Sequence, residues 1–162
     1  MARRVFFSFD YDRDVWRASN VRNSQNFKSE HGEVGFVDSA SWEEVKRKGD
    51  EAIKNWIDTQ LEGTSVTIVL IGAKTSESKW IKYEIEKSAN MGNKLLGIYI
   101  HNIRDQNQRT DMQGTNPFAL FTFTKDNGGK IRLDSIIPTY DWVSQNGRNN
   151  IARWITSGVS LS

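Results

Sequence analysis

No cysteine occurs among the 162 residues. That excludes a disulfide scaffold, a cysteine-ligated metal and a thiol nucleophile, and it fits a reducing cytoplasm. Histidine is scarce too. His31 and His101 stand far apart, without metal-ligand spacing, so no metal site is expected. No apolar run approaches the ~20 residues that span a bilayer, and the opening "MARRVFFSFD" lacks a signal-peptide core. The formal net charge is only +2, with no dense basic run, which argues against a nucleic-acid partner. These absences predict a soluble cytoplasmic protein that engages neither membrane nor nucleic acid.

Several catalytic motifs are missing as well. There is no G-x-G-x-x-G and no Walker A sequence, so a standard dinucleotide or nucleotide triphosphate loop is excluded. There is no G-x-S-x-G elbow. A receiver domain needs an aspartate at the end of its third strand, where this chain has "VLIGAKT". A flavodoxin cradles phosphate after its first strand, where "FDYDRD" would repel it.

What is present suits one domain over 1–162 with a single core, at 37% hydrophobic and 26% charged residues. "RRVFFSFD" reads as a first strand ending at Asp10. A helix is predicted over about 13–27, with Val15, Trp16, Ala18 and Val21 inward and Arg13, Arg17 and Arg22 on a solvated face. "EVGFVD" is a second strand ending at Asp38. Ser41 and Glu44 form a capping-box pattern before a helical stripe that runs from Trp42 to Leu61, weakened at Gly49. "TSVTIVLIG" is apolar and β-branched with almost no alternation, as expected for a strand buried on both faces of a parallel sheet. A helix over about 78–91 follows, with Gly92 placed to end it, and "KLLGIYIHNI" is a fourth strand. This alternation predicts an α/β, flavodoxin-like open parallel sheet with helices on both faces. Beyond Ile103 the pattern weakens. Residues 104–116 are predicted as a mobile surface loop, "PFALFTF" and "KIRLDSI" as short strands around "DNGG", and "RNNIARWITS" as a last helix.

One residue breaks the pattern. On a helical wheel of the segment after the third strand, Trp80, Ile81, Ile85 and Met91 share an arc, and Glu84 falls inside it. A carboxylate on a buried face is uncommon without a partner or a task. In open α/β sheets ligands bind beyond the carboxyl ends of the strands. That rule brings Ser8, Asp10, Asp38, Ser76 and Trp80 forward as companions of Glu84, and Tyr83 joins them from the margin of the helical arc. All but Asp38 also have a plainer role: turn formation for Ser8 and Asp10, helix capping for Ser76, packing for Trp80, surface for Tyr83.

"RRVFFSFDYDRD", "VGFVDSASWEEVKRKGDEAIKNWI", "TSVTIVLIGAKTSESKWIKYEIEKS" and "GNKLLGIYIHNI" together resemble the TIR-like domains of the Thoeris antiphage system, of the ThsB type, over residues 3–120. "SESKWIKYEIE" is similar to the W-x-x-x-E stretch of TIR domains in general. The resemblance implies cleavage of NAD⁺ at its nicotinamide–ribose bond, with Glu84 as the catalytic glutamate. It implies a cyclic or modified ADP-ribose product that activates a separate effector protein in antiphage defence. NAD⁺ is then a substrate rather than a cofactor, and self-association is compatible with the family. A second reading is a non-catalytic TIR-like module for nucleotide sensing or protein interaction.

Overall fold

The computed structural model describes residues 4–24 and 39–161. The expected strand ending at Asp38, and Asp38 and His31 themselves, lie outside the described residues.

The sheet grows from the apolar runs. Strand β1 (Val5–Ser8) pairs in parallel with β2 (Val66–Ile71), with Val5 opposite Val66 and Ser8 opposite Val69. Strand β2 pairs in parallel with β3 (Lys94–Tyr99) along its whole length. Every residue of β2 is buried, which is why its sequence has no polar alternation. Helix α1 (Val15–Arg22) follows β1, and helices α2 (Ser39–Arg47) and α3 (Asp50–Leu61) precede β2. Helix α4 (Lys79–Asn90) connects β2 to β3. The predicted parallel α/β fold is therefore present.

Each strand's alternation divides the core. Ile68, Leu70, Leu96 and Ile98 pack with Ala18 and Val21 of α1. Val69, Ile71 and Leu95 pack with Ile81 and Ile85 of α4. Helices α1 and α4 thus cover opposite faces of the sheet. Helix α3 lies alongside α4, joined to it by a hydrogen bond from Tyr83 to Asp58 and an ion pair between Lys79 and Asp50.

Beyond β3, the antiparallel hairpin of β4 (Thr122–Thr124) and β5 (Lys130–Arg132) closes around the "DNGG" turn as predicted, but Pro117–Leu120 and Leu133–Ser135, expected within its strands, form 3₁₀ turns. A fourth parallel strand, β6 (Thr139–Asp141), pairs with the end of β3 and was not anticipated. Its Tyr140 stacks on Trp154 of helix α5 (Gly147–Thr156), with ring centroids 4.5 Å apart. Ile151, Trp154 and Ile155 place α5 on the same face as α1.

Several local expectations change. Gly49, at φ +96°, splits the predicted long helix into α2 and α3 instead of merely weakening it. Ser41 falls inside the first turn of α2, so it is not the cap residue. Ser78, rather than Ser76, caps α4 by accepting the Ile81 amide, and Ser76 sits in a short 3₁₀ turn over Thr75–Glu77. Gly92 ends α4 as predicted. With φ +80° it allows the amides of Gly92 and Asn93 to bond the Ala89 and Ser88 carbonyls. Met91, placed in the buried arc by the wheel, is largely exposed.

No helix or strand falls within 104–116, in line with the predicted loop. It is nonetheless tied down. Arg17, expected on a solvated face, is only 7% exposed and donates to the carbonyls of Ile103 (2.7 Å) and Arg109 (3.0 Å). The Asp111 amide bonds the His101 carbonyl at 2.9 Å. At Gly114 the chain presses against the loop after β2, and a Cβ there would fall on the carbonyls of Gly72 and Ala73. Gly114→Ala is expected to destabilise the protein by about 2–3 kcal/mol, because backbone on both sides must give way. Urea unfolding checks this, and an unchanged midpoint would contradict it.

Candidate functional site

The buried stripe of α4 comprises Ile81, Glu84, Ile85 and Ser88, a spacing of i, i+3, i+4 and i+7. Two of the four are polar, and each meets a polar group from the sheet. Ser88 shares a hydrogen bond with Thr67 of β2 at 2.7 Å. Glu84 faces the carboxyl end of β1. Its Oε1 accepts from the Ser8 hydroxyl at 2.9 Å, and its Oε2 accepts from the Tyr11 hydroxyl at 2.6 Å. The carboxyl group is thus held by a donor at each oxygen and is 0% exposed.

Tyr11 is itself enclosed by aromatic rings. Phe9 lies 4.6 Å away edge-on, Trp42 of α2 4.8 Å away and Trp56 of α3 5.6 Å away, measured between centroids. Asp12 fastens this lining from outside. Its Oδ1 accepts from the Trp42 indole N–H at 2.9 Å and from Lys46 Nζ at 2.8 Å. Helix α2 is thereby latched onto the loop after β1, with Gly49 as its junction to α3.

Burial governs the electrostatics. It pushes the Glu84 carboxyl up from 4.5 to about 8, against the lowering pull of the bonds from Tyr11 and Ser8. Burial, reinforced by the Glu84 charge and by the hydrogen bond to it, raises the Tyr11 hydroxyl well above 10. Near neutral pH the closed site therefore holds Glu84 mostly protonated, and a cation placed beside it would draw the proton off.

The residues singled out from the sequence separate into two groups. Ser8 and Glu84 come together. Asp10 does not touch Glu84: its Oδ1 accepts the amides of Asp12 (3.1 Å) and Arg13 (3.2 Å), which shapes the loop that carries Tyr11. Trp80 is half-buried under Lys79, whose Nζ lies 4.8 Å from the ring centroid. Tyr83 donates to Asp58 at 2.7 Å, a bond that with burial pushes its hydroxyl up to about 12. Trp80 and Tyr83 thus belong to the α3–α4 side, and Ser76 to the turn before α4.

Tyr11, Asp12 and Trp42 escaped the sequence reading. A tyrosine in "FDYDRD" looks like a turn residue, and its carboxyl partner lies 73 residues away. A second buried carboxylate was also unforeseen. Asp14 lies against Gly72 at the end of β2, its Oδ2 without a partner among the described residues. Burial, helped by the charge of Asp10, raises it to about 6. Among the described residues no three His, Asp or Glu side chains group as metal ligands.

Tyr11→Phe separates the two donors. Removing the hydroxyl leaves Oε2 of Glu84 without its shorter bond, at an expected cost of about 1–3 kcal/mol. It also removes a bond that favours the ionised form, so the Glu84 pKa should rise above its present value. Carboxyl-carbon NMR titration of the two proteins measures this, and a lower or unchanged pKa in the variant would refute it.

Comparison with known proteins bears on this arrangement. The family model described as "Thoeris protein ThsB, TIR-like domain" matches residues 6–105, which include most of β1, all of α4 and both donors to Glu84. A protein of Bacillus cereus (strain MSX-D12), named "Putative cyclic ADP-D-ribose synthase ThsB1", is 32% identical over 191 aligned positions, covering 96% of this chain and 100% of its own.

Proposed function

The chain belongs to the ThsB TIR-like family of Thoeris proteins, and on that premise we propose that it cleaves NAD⁺ between nicotinamide and ribose to make a cyclic or otherwise modified ADP-ribose signal. The observation that carries this reading is Glu84: a carboxyl group on a buried helix face, at a strand's carboxyl end, gripped by two hydroxyls within an aromatic lining. The relative's printed name supports the product class.

In the reaction, the bond between the ribose C1′ and the pyridinium nitrogen breaks, and its electron pair leaves with neutral nicotinamide. No strong acid is needed for such a leaving group. Positive charge develops on the ribose, as in glycoside hydrolysis. Glu84, having lost its proton to solvent as the cationic substrate arrives, opposes that charge. Ser8 and Tyr11 hold the carboxylate in place, and ribose hydroxyls can replace either donor. The aromatic rings keep water away, which favours attack on C1′ by the adenosine part and hence a cyclic product. Hydrolysis to ADP-ribose is the competing outcome. Entry of NAD⁺ requires side chains over Glu84 to move, and α2, latched through Trp42 and Lys46 to Asp12 and jointed at Gly49, is the element placed to do so. NAD⁺ is the substrate, Glu84 the catalytic residue and no resident cofactor takes part. The product activates a separate effector in the cytoplasm.

The complete burial of Glu84 favours one other reading, a non-catalytic nucleotide-sensing or interaction module in which the carboxyl group serves the core. Incubation with NAD⁺, in resting protein and in extracts of phage-infected cells, decides between them. Release of nicotinamide with a product that co-migrates with a cyclic ADP-ribose supports the enzyme. Intact NAD⁺ under both conditions supports the module.

A further inference from the structure

A cleft of about 480 Å³ opens on the α1–α5 face, at the carboxyl ends of β3 and β6. Its size falls within the roughly 300–1,000 Å³ usual for small-molecule sites. Neither Glu84 nor Ser8, Tyr11 or Trp42 lines it, so the cleft is not the site already described.

Two of its walls are apolar surface that the fold leaves uncovered: Trp16 is 48% exposed and Val143 is 52% exposed. The sequence places Trp16 inward, and the structure places it here. Its indole N–H donates to the Arg104 carbonyl at 3.2 Å, which fixes the ring by its edge while about half of its surface stays open. Arg104 and Arg148 line the same cleft, Arg148 from the first turn of α5 and Arg104 with one guanidinium N–H donating to the Gln108 carbonyl at 3.3 Å. The amino end of that helix adds partial positive charge. Among the described residues, the acidic groups at the cleft are engaged elsewhere. Asp105 lines the cleft, but its carboxylate accepts the amides of Asn107 and Arg109 and faces Arg17. Asp141 accepts the Asn102 amide and the backbone N–H groups of Val143 and Ser144. A half-exposed flat ring in a cleft lined by two arginines is a combination suited to a molecule with an aromatic base and a phosphate.

We propose that this cleft is a second site, independent of Glu84, that binds a nucleoside phosphate with its base against Trp16 and its phosphate between Arg104 and Arg148. Asn102, whose side-chain amide donates to Asp141 at 3.1 Å, lines the same cleft.

Adenosine 5′-monophosphate, adenosine and inorganic phosphate, titrated separately into the full chain by isothermal calorimetry, test the proposal. The parent protein should bind the monophosphate saturably, with adenosine and phosphate each at least tenfold weaker, since each lacks one half of the recognition. Trp16→Ala and Arg148→Gln should each weaken the monophosphate at least tenfold, whereas Glu84→Gln should leave it unchanged. Trp16 is half exposed, so its replacement should not unfold the protein. If it does, Arg148→Gln alone carries the test. No saturable binding, phosphate binding as tight as the monophosphate, or monophosphate affinity lost in Glu84→Gln and kept in Trp16→Ala would each overturn the proposal.

Discussion

Replacing Glu84 by glutamine should raise the free energy of unfolding by up to about 5 kcal/mol near pH 9 while changing it little near pH 4. The sign follows from proton binding. The unfolded chain releases the Glu84 proton near 4.5, and the folded chain holds it to about 8. Between those values the folded state binds more protons, so the parent protein loses stability as pH rises through that window. The loss is complete above the folded pKa, at about 1.4 kcal/mol for each pH unit that separates the folded and unfolded values. Glutamine does not titrate, so the variant escapes the penalty. Asp14, which burial raises to about 6, adds a smaller slope of the same sign, but it is present in both proteins and cancels in the difference. Near pH 4 both side chains are neutral. The Ser8 hydroxyl can turn to accept from the glutamine amide while Tyr11 still donates, so little is lost there. Urea unfolding of both proteins at intervals across this range gives the difference directly. Parallel curves would mean that burial does not hold the Glu84 proton.

The parts of the fold that were legible in the sequence are those in which one short segment contains the whole signal. The unbroken β-branched run of β2 can only be a strand buried on both faces, and Gly92 and the "DNGG" turn announce themselves by the backbone angles they permit. Glu84 was legible for the same reason, since a helical stripe with one carboxyl group in it shows the exception without any tertiary knowledge. What stayed hidden depends on distant partners. The three residues of β6 have no periodicity, and their place is set by β3 and by Trp154. Arg17 reads as a surface residue until the loop carrying Ile103 and Arg109 arrives to accept from it. Trp16 reads as core because a tryptophan on a helix usually is, and nothing local says that its face of α1 meets a cleft. Asp10 and Asp12 look equivalent in "FDYDRD", yet one folds the loop and the other fastens α2. Tyr11 is the most instructive: the second donor to the carboxyl group comes from a residue whose neighbours in sequence gave no hint of it.

The catalytic role proposed for Glu84 makes its own demand on the same substitution. Glutamine keeps the shape and one acceptor but cannot carry the negative charge that opposes an oxocarbenium-like ribose. Turnover should fall by about 10²-fold or more, equivalent to roughly 2.7 kcal/mol or more of barrier. NAD⁺ affinity should change far less, because the charge matters most as the transition state forms. Stability is expected to hold or rise, so lost activity cannot be put down to unfolding. If Glu84 serves the core alone, the pattern reverses, with lowered stability and intact chemistry. The decisive measurement is nicotinamide release from NAD⁺ by the parent and Glu84→Gln proteins side by side, under conditions in which the parent turns over, with a thermal melt of each. A variant that is folded at least as stably as the parent and slower by two orders of magnitude is the expected result. A variant that releases nicotinamide at the parent's rate would contradict it.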